Sequence, residues 1–298
     1  MSENDFQRYL HAKRTVDDRA IDRRVLDRLT EELPAARRVG EPLRVLEVGA
    51  GVCTMPTRLL ERDVFPDRTR YVAVDERPEN VAAARDHLRE RGFEADDGDE
   101  NEGTGRLRYA DGERTVDVEP VHGDAFKVED EGEYDLLIAG AFLDLVDLSR
   151  ALPRLFDRLH SGGLFYFPIT FDGATIFAPE LALDDRIAEL YHRDMNERTR
   201  DGRSAGHSRT GRRLFTRIPE AGGEILAAGS SDWIVHPPYP ADEAFFLRHI
   251  LRTIEGALSG HRELDAEVLD EWIETRRGQV EREELTYVAH QLDVLGRL

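Results

Sequence analysis

Apolar and polar positions follow a helical period at the start of the chain. Within residues 5–34, apolar residues between Ile21 and Leu29 recur every three to four positions, which is the spacing of an amphipathic helix. We predict helix throughout, with a break near Thr15, because Thr15-Val-Asp-Asp18 has the form of a helix N-terminal cap.

Beyond residue 40 the pattern changes to short, continuous apolar runs that alternate with helical segments. Runs of this kind indicate strands buried on both faces, which is typical of a parallel sheet covered by helices. A hairpin is predicted where two strands flank Asp111-Gly112, a favoured turn pair. The predicted strands are 43–48, 71–74, 107–110, 115–121, 134–139 and 163–170, and helices lie near 55–60, 79–90 and 148–159.

The C-terminal part has a different residue pattern, which predicts long helical stretches and two further strands. Helix is predicted over 184–221, 242–258 and 264–277, and strand over 224–228 and 285–295. We therefore divide the chain into an N-terminal helical cap (1–39), a core (40–171) and a C-terminal part (172–298) of helical insertions and the last two strands. The fold class predicted is α/β: a Rossmann-like, doubly wound, mostly parallel sheet of seven strands with an antiparallel last strand.

The charge balance adds information about where the protein works. Aspartate and glutamate number 61 against 41 lysine and arginine, and only Lys13 and Lys127 are lysines. Such a surface suits molar salt, where the Debye length falls to about 3 Å and repulsion among carboxylates is small. We predict a halophilic protein, with an ordinary acidic enzyme as the alternative. A net charge of −20 argues against a nucleic-acid partner.

Other compositional features narrow the class of protein. Residues 1–10 lack the apolar run of a signal peptide, and no stretch reaches the about 18 apolar residues of a membrane span. The single cysteine, Cys53, excludes an internal disulfide and a multi-cysteine zinc site, and no metal is predicted. We expect a soluble, cytoplasmic protein, monomeric or homodimeric, without a membrane partner.

Residues that directly follow the strands carry the candidate chemistry, because ligands of open parallel sheets bind at the carboxyl ends of the strands. Gly49 and Gly51 permit a tight turn and a close approach of the backbone to a ligand. Asp75 has the position to accept hydrogen bonds from two ribose hydroxyls, and Asp124 to accept from an adenine amine. Alone, each has a simpler interpretation: a glycine turn, a helix cap and a loop turn.

Together these segments resemble the class I S-adenosylmethionine-dependent methyltransferases. The likeness covers about residues 40–170 and rests on Glu47-x-Gly49-x-Gly51, Asp75, Gly123-Asp124-Ala125, Tyr134-Asp-Leu-Leu137 and Leu159-x-Ser-Gly-Gly163. The segment Leu285–His290 is similar to the antiparallel last strand of that family. One departure is Cys53, where many members have a third glycine.

The resemblance implies S-adenosyl-L-methionine as cofactor and methyl transfer by SN2 displacement to a small molecule. It implies that Glu47, Gly49 and Gly51 hold the methionine part, that Asp75 binds ribose, and that Asp124 with Ala125 contacts adenine. Gly140, after the next strand, is predicted to leave room for the ligand. The acceptor atom stays open among oxygen, nitrogen and carbon.

The acceptor pocket is predicted to come from the region after residue 171 and the N-terminal helix. His192 and His207 are the candidate general bases, and Arg209, between small residues, suits a carboxylate or phosphate, so an anionic acceptor is one option. A surface ion pair is the simpler interpretation of Arg209. Lys13 and Arg14 are candidates to reach the cofactor's carboxylate, and Trp233 is a candidate apolar lid.

Several rival functions are compatible with parts of the sequence. An NAD(P)-dependent oxidoreductase is disfavoured because Thr54 stands where the GxGxxG fingerprint requires glycine. A non-catalytic nucleotide-binding module and an aminopropyltransferase also stay open. Pro237-Pro-Tyr239 resembles a motif of DNA amino-methyltransferases but lies outside the position that follows the fourth strand, so we interpret it as a rigid loop.

Overall fold

The computed structural model describes residues 3–95, 105–112, 114–127, 133–200 and 202–298. Its helices are α1 (Glu3–Ala20), α2 (Arg23–Ala36), α3 (Thr54–Glu61), α4 (Pro78–Glu90), α5 (Leu148–Phe156), α6 (Asp184–Glu197), α7 (Thr210–Glu220), α8 (Glu243–Leu258) and α9 (Ala266–Glu281), with a short 3-10 turn at Leu143–Leu145. Its strands are β1 (Leu43–Val48), β2 (Arg68–Asp75), β3 (Glu94–Ala95), β4 (Leu107–Asp111), β5 (Arg114–His122), β6 (Tyr134–Ile138), β7 (Leu159–Ala178), β8 (Thr199–Arg200), β9 (Arg203–Ser204), β10 (Glu224–Ser230), β11 (Trp233–Val235) and β12 (Thr286–Arg297).

The main sheet is a Rossmann-like sheet with a parallel centre, as predicted. Strands β7, β6, β1, β2 and β5 are neighbours in this order and all run parallel. The chain leaves β1 for β2 on one side and later returns to β6 on the other, which creates a topological switch point between β1 and β6. Antiparallel β12 lies beside β7, and antiparallel β10 lies beside β12.

The prediction of seven strands was too low, because the sheet has ten. The predicted hairpin around Asp111-Gly112 is confirmed as β4 and β5, and β4 with the two-residue β3 extends the sheet beyond the parallel centre. Strand β11 pairs with β12 off the main path. The sequence pattern missed β3 and β11 because strands of two or three residues are too short to establish an alternation.

Helices cover both faces of the parallel centre. In β1, Val45 faces the core formed with α2, α3 and α4, whereas Leu46 faces the core formed with α5 and α7. This alternation follows from the period of two in a strand. A third apolar core lies between α1, α6, α8, α9 and the far ends of β7 and β12. Strands buried on both faces explain the continuous apolar runs of the sequence.

The break in the N-terminal helix lies later than predicted. Helix α1 passes through Thr15 without interruption, and the side chain of Thr15 donates to Glu243 at 2.6 Å. The cap is Asp22, whose carboxylate accepts from the backbone N–H groups of Arg24 and Val25. The Thr15 segment has the sequence of a cap, but its tertiary contact with α8 lets α1 continue.

The C-terminal part also departs from the prediction in detail. Strand β7 continues across residue 171, where we placed a boundary, so the predicted core and the C-terminal part share one strand. Residues 160–162, which separate the predicted helix from the predicted strand, belong to this strand. The segment 184–221 contains α6 and α7 separated by the β8–β9 hairpin, rather than uninterrupted helix. Most of the acidic segment 92–106 lies outside the described residues. Within the described ranges, none of the helices combines the length and apolar character required to cross a lipid bilayer.

Candidate active site

A cavity of about 680 Å³ opens at the carboxyl ends of β1, β2, β5 and β6. Its volume lies within the range of about 300–1,000 Å³ that is common for small-molecule sites. The seven residues assigned from the sequence to a cofactor all line it: Glu47, Gly49, Gly51, Asp75, Asp124, Ala125 and Gly140. These residues come from four separate strand ends, and the fold brings them to one place.

The turn after β1 forms the floor of the cavity. Gly49 and Gly51 have φ angles of +68° and +55°, in the left-handed region that favours glycine. A Cβ on Gly49 would also lie 2.5 Å from Cδ2 of Phe142, so the ring occupies the space that a side chain would need. Cys53, at the position where the resemblance leads us to expect glycine, has φ +58° and is the N-cap residue directly before α3. The turn therefore keeps a glycine-like backbone at Cys53 despite the departure in sequence.

Asp75 ties this turn to the end of β2. Its Oδ2 accepts from the backbone N–H of Gly51 at 2.8 Å, and its Oδ1 accepts from the backbone N–H of Arg77 and from Nδ2 of Asn80, both at 2.9 Å. The carboxylate is largely buried, and it still lines the cavity. Asp75 is thus oriented by the protein itself. Because Oδ1 already accepts two hydrogen bonds, the lone pair that remains for a ligand is on Oδ2.

Asp124 and two phenylalanines line the part of the cavity that lies after β5 and β6. The Asp124 carboxylate accepts from the backbone N–H of Phe126 at 2.9 Å and lies 3.1 Å from Nζ of Lys127. Although burial acts to raise it, the pKa of Asp124 is lowered overall by these two partners. The rings of Phe126 and Phe142 lie 6.2 Å apart and both line the cavity. An acceptor group beside two aromatic rings suits a planar heterocycle that carries an amine.

Glu47 is a buried carboxyl at the base of the cavity. The hydroxyl of Tyr71 donates to its Oε2 at 2.8 Å. Burial raises the pKa of Glu47 to about 8, although the Tyr71 hydroxyl and the Arg58 charge act in the opposite direction. Glu47 therefore carries a proton over much of the neutral range, and a cation placed beside it favours its ionisation.

Helix α1 covers the cavity from the side of the solvent. Phe6, Leu10 and Lys13 line it, and Gln7 of the same helix donates to Oδ1 of Asn80 at 3.0 Å. Lys13 Nζ lies 2.6 Å from Oδ2 of Asp17, whose Oδ1 accepts from the indole N–H of Trp233 at 2.9 Å. Lys13 was predicted to reach this region and does so, whereas Arg14 is not in the lining and pairs with Glu61 at 2.7 Å.

Arg58 on α3 is a buried cation that the sequence analysis did not identify. Its guanidinium is 2% exposed, and its Nε donates to Oδ1 of Asp18 at 2.5 Å. Its Nη2 is buried and has no hydrogen-bond partner within the described part of the chain. Since Arg58 lines the cavity, this N–H group is suited to an anionic group of a ligand. In the sequence, Arg58 looks like any other arginine of an amphipathic helix.

The β8–β9 hairpin approaches the same opening. Arg200, Ser204 and Ala205 line the cavity, and Arg200 Nη2 lies 2.7 Å from Oε2 of Glu76. Glu76 directly follows Asp75, so the ion pair joins the inserted hairpin to the rim of the site. Both side chains are exposed, and the pair contributes at most about 1 kcal/mol.

The three candidate catalytic residues do not line this cavity. His192 packs in α6, where its Nε2 is 2.9 Å from Oγ1 of Thr175, and burial lowers its pKa. His207 accepts the backbone N–H of Arg209 on Nδ1 at 3.0 Å, so it orders the loop before α7. Arg209 itself is exposed. The sequence predicted that these three residues would belong to an acceptor pocket. In the structure, Ser204 of β9 and the adjacent Ala205 line the cavity instead.

Two other residues considered in the sequence analysis, Trp233 and Tyr239, lie outside the cavity lining. Trp233 is not in the lining, and it packs edge-on against Phe246 with ring centres 5.3 Å apart. Tyr239 donates its hydroxyl to the carbonyl of Leu285 at 2.7 Å, which anchors the Pro237-Pro238 loop before α8. The DNA-related motif therefore lies away from the cavity, at the place and in the role expected of a rigid loop.

Comparison with solved structures agrees with this architecture. A protein of Bacillus halodurans assigned as a methyltransferase has 14% identity and a TM-score of 0.50, and the match covers 91% of this chain and 98% of that one. S-adenosylhomocysteine complexes of methyltransferases from Thiobacillus denitrificans and Geobacter sulfurreducens each have 15% identity, with TM-scores of 0.46 and 0.44. Those two matches cover 93% of this chain, and 92% and 91% of theirs.

The likeness to the Bacillus halodurans protein shows the fold alone, a Rossmann-like, mostly parallel sheet flanked by helices. At TM-scores below 0.5 the other two likenesses add nothing to the fold assignment. No protein-family model matches this sequence, and neither does any curated protein. The evidence for the function of this protein is therefore the cavity and the residues that line it.

Proposed function

We propose that this protein binds S-adenosyl-L-methionine in the cavity and transfers its methyl group to a small molecule. The observation that supports the proposal is the convergence of Gly49, Asp75, Asp124 and Gly140, from four strand ends, on a single cavity. The glycine turn at Gly49 suits the amino-acid tail of the cofactor, and the carboxylate of Asp75 suits its ribose. Asp124, which lies beside two aromatic rings, suits the adenine. The fold makes this convergence possible, and the side chains give it chemical meaning.

The charges at one end of the cavity fit the amino-acid part of the cofactor. Arg58 offers a buried N–H group that has no partner in the described part of the chain, which suits the carboxylate. Glu47 and Asp17 both line the cavity, and their carboxyl groups suit the ammonium group. The Cβ of any residue at position 49 would fill the space between the turn and Phe142. The residues present thus fit the group that the fold implies.

The chain's own contribution to the reaction is binding, orientation and exclusion of water. The bound cofactor supplies a methyl group already activated by its sulfonium, so alignment accounts for much of the acceleration. Helix α1 covers the cavity, which keeps bulk water from the reacting atoms. Burial keeps the proton on Glu47 although the Tyr71 hydroxyl favours the ionised form, and Glu47 can release this proton when positive charge enters the site. A general base is needed only if the acceptor must lose a proton.

The acceptor is proposed to be a small molecule because α1 and the β8–β9 hairpin border the cavity. An anionic acceptor was considered because of Arg209. Since Arg209 is exposed and lies outside the cavity lining, this residue does not support an anionic acceptor. The proposal covers oxygen, nitrogen and carbon as the nucleophilic atom of the acceptor.

Calorimetry separates this proposal from its rivals. We expect S-adenosylhomocysteine to bind with one site per chain and NADH to show no binding heat. Binding of NADH without S-adenosylhomocysteine would favour an oxidoreductase. Release of labelled S-adenosylhomocysteine in the presence of a small-metabolite mixture would distinguish an enzyme from a silent binding module. Decarboxylated S-adenosylmethionine, added in parallel, tests the aminopropyltransferase alternative.

We further propose that the protein functions at high salt and in the cytoplasm, as the composition led us to expect. The support is the net charge of −20 together with only two lysines. Self-repulsion among carboxylates weakens as salt shortens the Debye length to about 3 Å at 1 M. The unfolding temperature is therefore expected to rise between 0.1 and 3 M KCl. A temperature that is constant or falls over this range would favour the ordinary acidic enzyme. The choice between monomer and homodimer stays a prediction, testable by light scattering in the same buffers.

A further inference from the structure

Ile169 has a backbone conformation that is unfavourable for its side chain. Its φ angle is +57°, in the left-handed region, where a branched side chain crowds the backbone. Strain of this kind persists only where the surrounding contacts hold it, and it is concentrated at ligand sites. Ile169 is 2% exposed, and it lines the cavity. A strained residue in the wall of a ligand cavity indicates a function for its position.

The strain is located at a bulge in the pairing of β7 with β12. Two residues of β7, Pro168 and Ile169, stand opposite the single residue Asp293 of β12. Such an extra residue bends the strand and turns a side chain in a new direction, and bulges are frequent next to active sites. The carbonyl of Pro168 accepts from the backbone N–H of Ala141 at 3.1 Å. The bulge is thereby joined to the turn after β6, where Gly140 and Ala141 line the cavity.

Two buried polar side chains of β12 hold the backbone of Ile169. Its N–H donates to Oδ1 of Asp293 at 2.8 Å. Its carbonyl lies 2.9 Å from the side-chain amide of Gln291, and the hydrogen-bond network assigns the amide nitrogen to this contact. Oδ2 of Asp293 accepts from the backbone N–H of Asp22 at 2.9 Å and from the hydroxyl of Tyr166 at 3.2 Å. The carboxylate that holds Ile169 is therefore itself fixed by two other segments.

Ile169 lies on the side of the cavity to which we assign no part of the cofactor. The residues assigned to ribose and adenine follow β2 and β5, and the turn assigned to the methionine part follows β1. Strand β7 lies on the other side of β1, beyond β6. The sulfonium joins the ribose to the amino-acid tail, so the unassigned end at β7 is the side from which an acceptor can approach it.

We propose that Ile169 forms the acceptor-side wall of the cavity and limits the size of the alkyl group that the sulfonium can carry. Asp293 and Gln291 are positioning residues, because they act through the backbone of Ile169. The inference rests on the proposed methyl transfer, and it adds the residue that selects methyl over larger groups. A branched side chain in a fixed backbone rejects an additional methylene because a close-packed wall yields little.

The test compares the binding of S-adenosylmethionine and of its S-ethyl analogue to the full chain by calorimetry. One methylene against an apolar wall changes affinity by about tenfold or more, so the wild type is expected to bind the S-ethyl compound at least tenfold more weakly. Ile169→Ala is expected to bring this ratio below threefold. Ile187→Ala is the matched control, because Ile187 is also buried but lies outside the cavity lining, and it is expected to keep the wild-type ratio.

A double-mutant cycle tests the role of Asp293. Glycine adopts a positive φ without strain, so the backbone in Ile169→Gly no longer depends on the carboxylate. The fall in unfolding temperature caused by Asp293→Asn is therefore expected to be at most half as large in Ile169→Gly as in the wild type. Ile176→Gly is the control, because Ile176 pairs with Val288 in a regular part of the same strand, and there the two effects should add. With Ile169 in place, Asp293→Asn is also expected to lower the alkyl ratio at least twofold.

Three results would overturn the inference: equal binding of both compounds by the wild type, a ratio in Ile169→Ala within twofold of the wild type, or an equal loss of the ratio in Ile187→Ala. Additive effects of Asp293→Asn and Ile169→Gly would remove Asp293 from the positioning role. Because Ile169→Ala could disturb folding, Ile169→Val serves as a second variant and is expected to lower the ratio at least twofold. Failure of S-adenosylmethionine and S-adenosylhomocysteine to bind the wild type would instead refute the proposed function.

Discussion

The backbone N–H of Gly51 donates to Oδ2 of Asp75 at 2.8 Å, and this bond joins the loops that follow the first two strands. The carboxylate that is assigned to the ribose therefore also holds the turn that is assigned to the methionine part. Because Oδ1 of the same side chain accepts from Arg77 and Asn80, Asp75 has a structural role beside the ligand-binding role that we propose for it.

Substitutions at Asp75 are predicted to separate these two roles. Asp75→Ala removes three hydrogen bonds of about 1 kcal/mol each, so we expect the free energy of unfolding to fall by about 2–3 kcal/mol. Asp75→Asn keeps the shape and part of this network but lacks the charge. It is expected to weaken S-adenosylhomocysteine binding at least tenfold, which corresponds to about 1.4 kcal/mol. Calorimetry with urea titrations would show both effects, and unchanged affinity in Asp75→Asn would contradict the ribose assignment.

Gly49→Ala is predicted to disrupt the cavity more than a comparable change elsewhere. Both Gly49 and Gly112 have positive φ, so alanine costs about 1–2 kcal/mol of backbone strain at either position. A Cβ at position 112 meets nothing within 4 Å, whereas at 49 it would overlap Phe142. We expect Gly49→Ala to lower the unfolding temperature further than Gly112→Ala and to abolish S-adenosylhomocysteine binding. Equal behaviour of the two variants would show that the turn is not closely packed against Phe142.

Arg58→Lys is predicted to weaken recognition of the ligand's carboxylate selectively. Lysine keeps the charge opposite Asp18 but lacks a counterpart of Nη2, the buried guanidinium nitrogen that has no partner among the described residues. The wild type is expected to bind S-adenosylhomocysteine at least tenfold more tightly than methylthioadenosine, which has no carboxylate. In Arg58→Lys this ratio is expected to approach one while methylthioadenosine affinity is unchanged. A ratio that stays at its wild-type value would remove Arg58 from the carboxylate site.

Glu47 is predicted to make stability depend on pH. Its pKa rises from 4.5 to about 8 on burial. The folded protein therefore binds more protons than the unfolded chain between these values, and the stabilisation is complete below pH 4.5 and is lost as pH rises through 8. The slope is at most about 1.4 kcal/mol per pH unit. Glutamine cannot titrate, so Glu47→Gln is expected to lose less stability than the wild type between pH 6.5 and 8.

Urea titrations at several pH values would measure this dependence. Glu41→Gln, a change at an exposed carboxylate, is the control and should follow the wild-type slope. If Glu47→Gln also followed that slope, the Glu47 carboxyl would be ionised throughout the neutral range. The proposed release of its proton on entry of a cation would then have no basis.

The sequence alone determined the order of the core elements and the residues that end them. Continuous apolar runs mark strands buried on both faces, and glycine or aspartate at their ends marks turns, because both signals depend only on residues close together in the chain. For this reason Gly49, Asp75 and Asp124 could be predicted to lie together without coordinates, and all three line the cavity. The hairpin at Asp111-Gly112 was placed correctly.

Only the tertiary structure decided which side chains line the cavity. Thr15 has the local sequence of a cap, but a contact with Glu243, more than two hundred positions away, keeps α1 continuous. Arg58 looks unremarkable in the sequence and yet lines the cavity, whereas His192, a candidate base from the sequence, lies outside the lining. Whether a polar atom is buried and partnered depends on the packing of distant segments, and no local pattern records that packing.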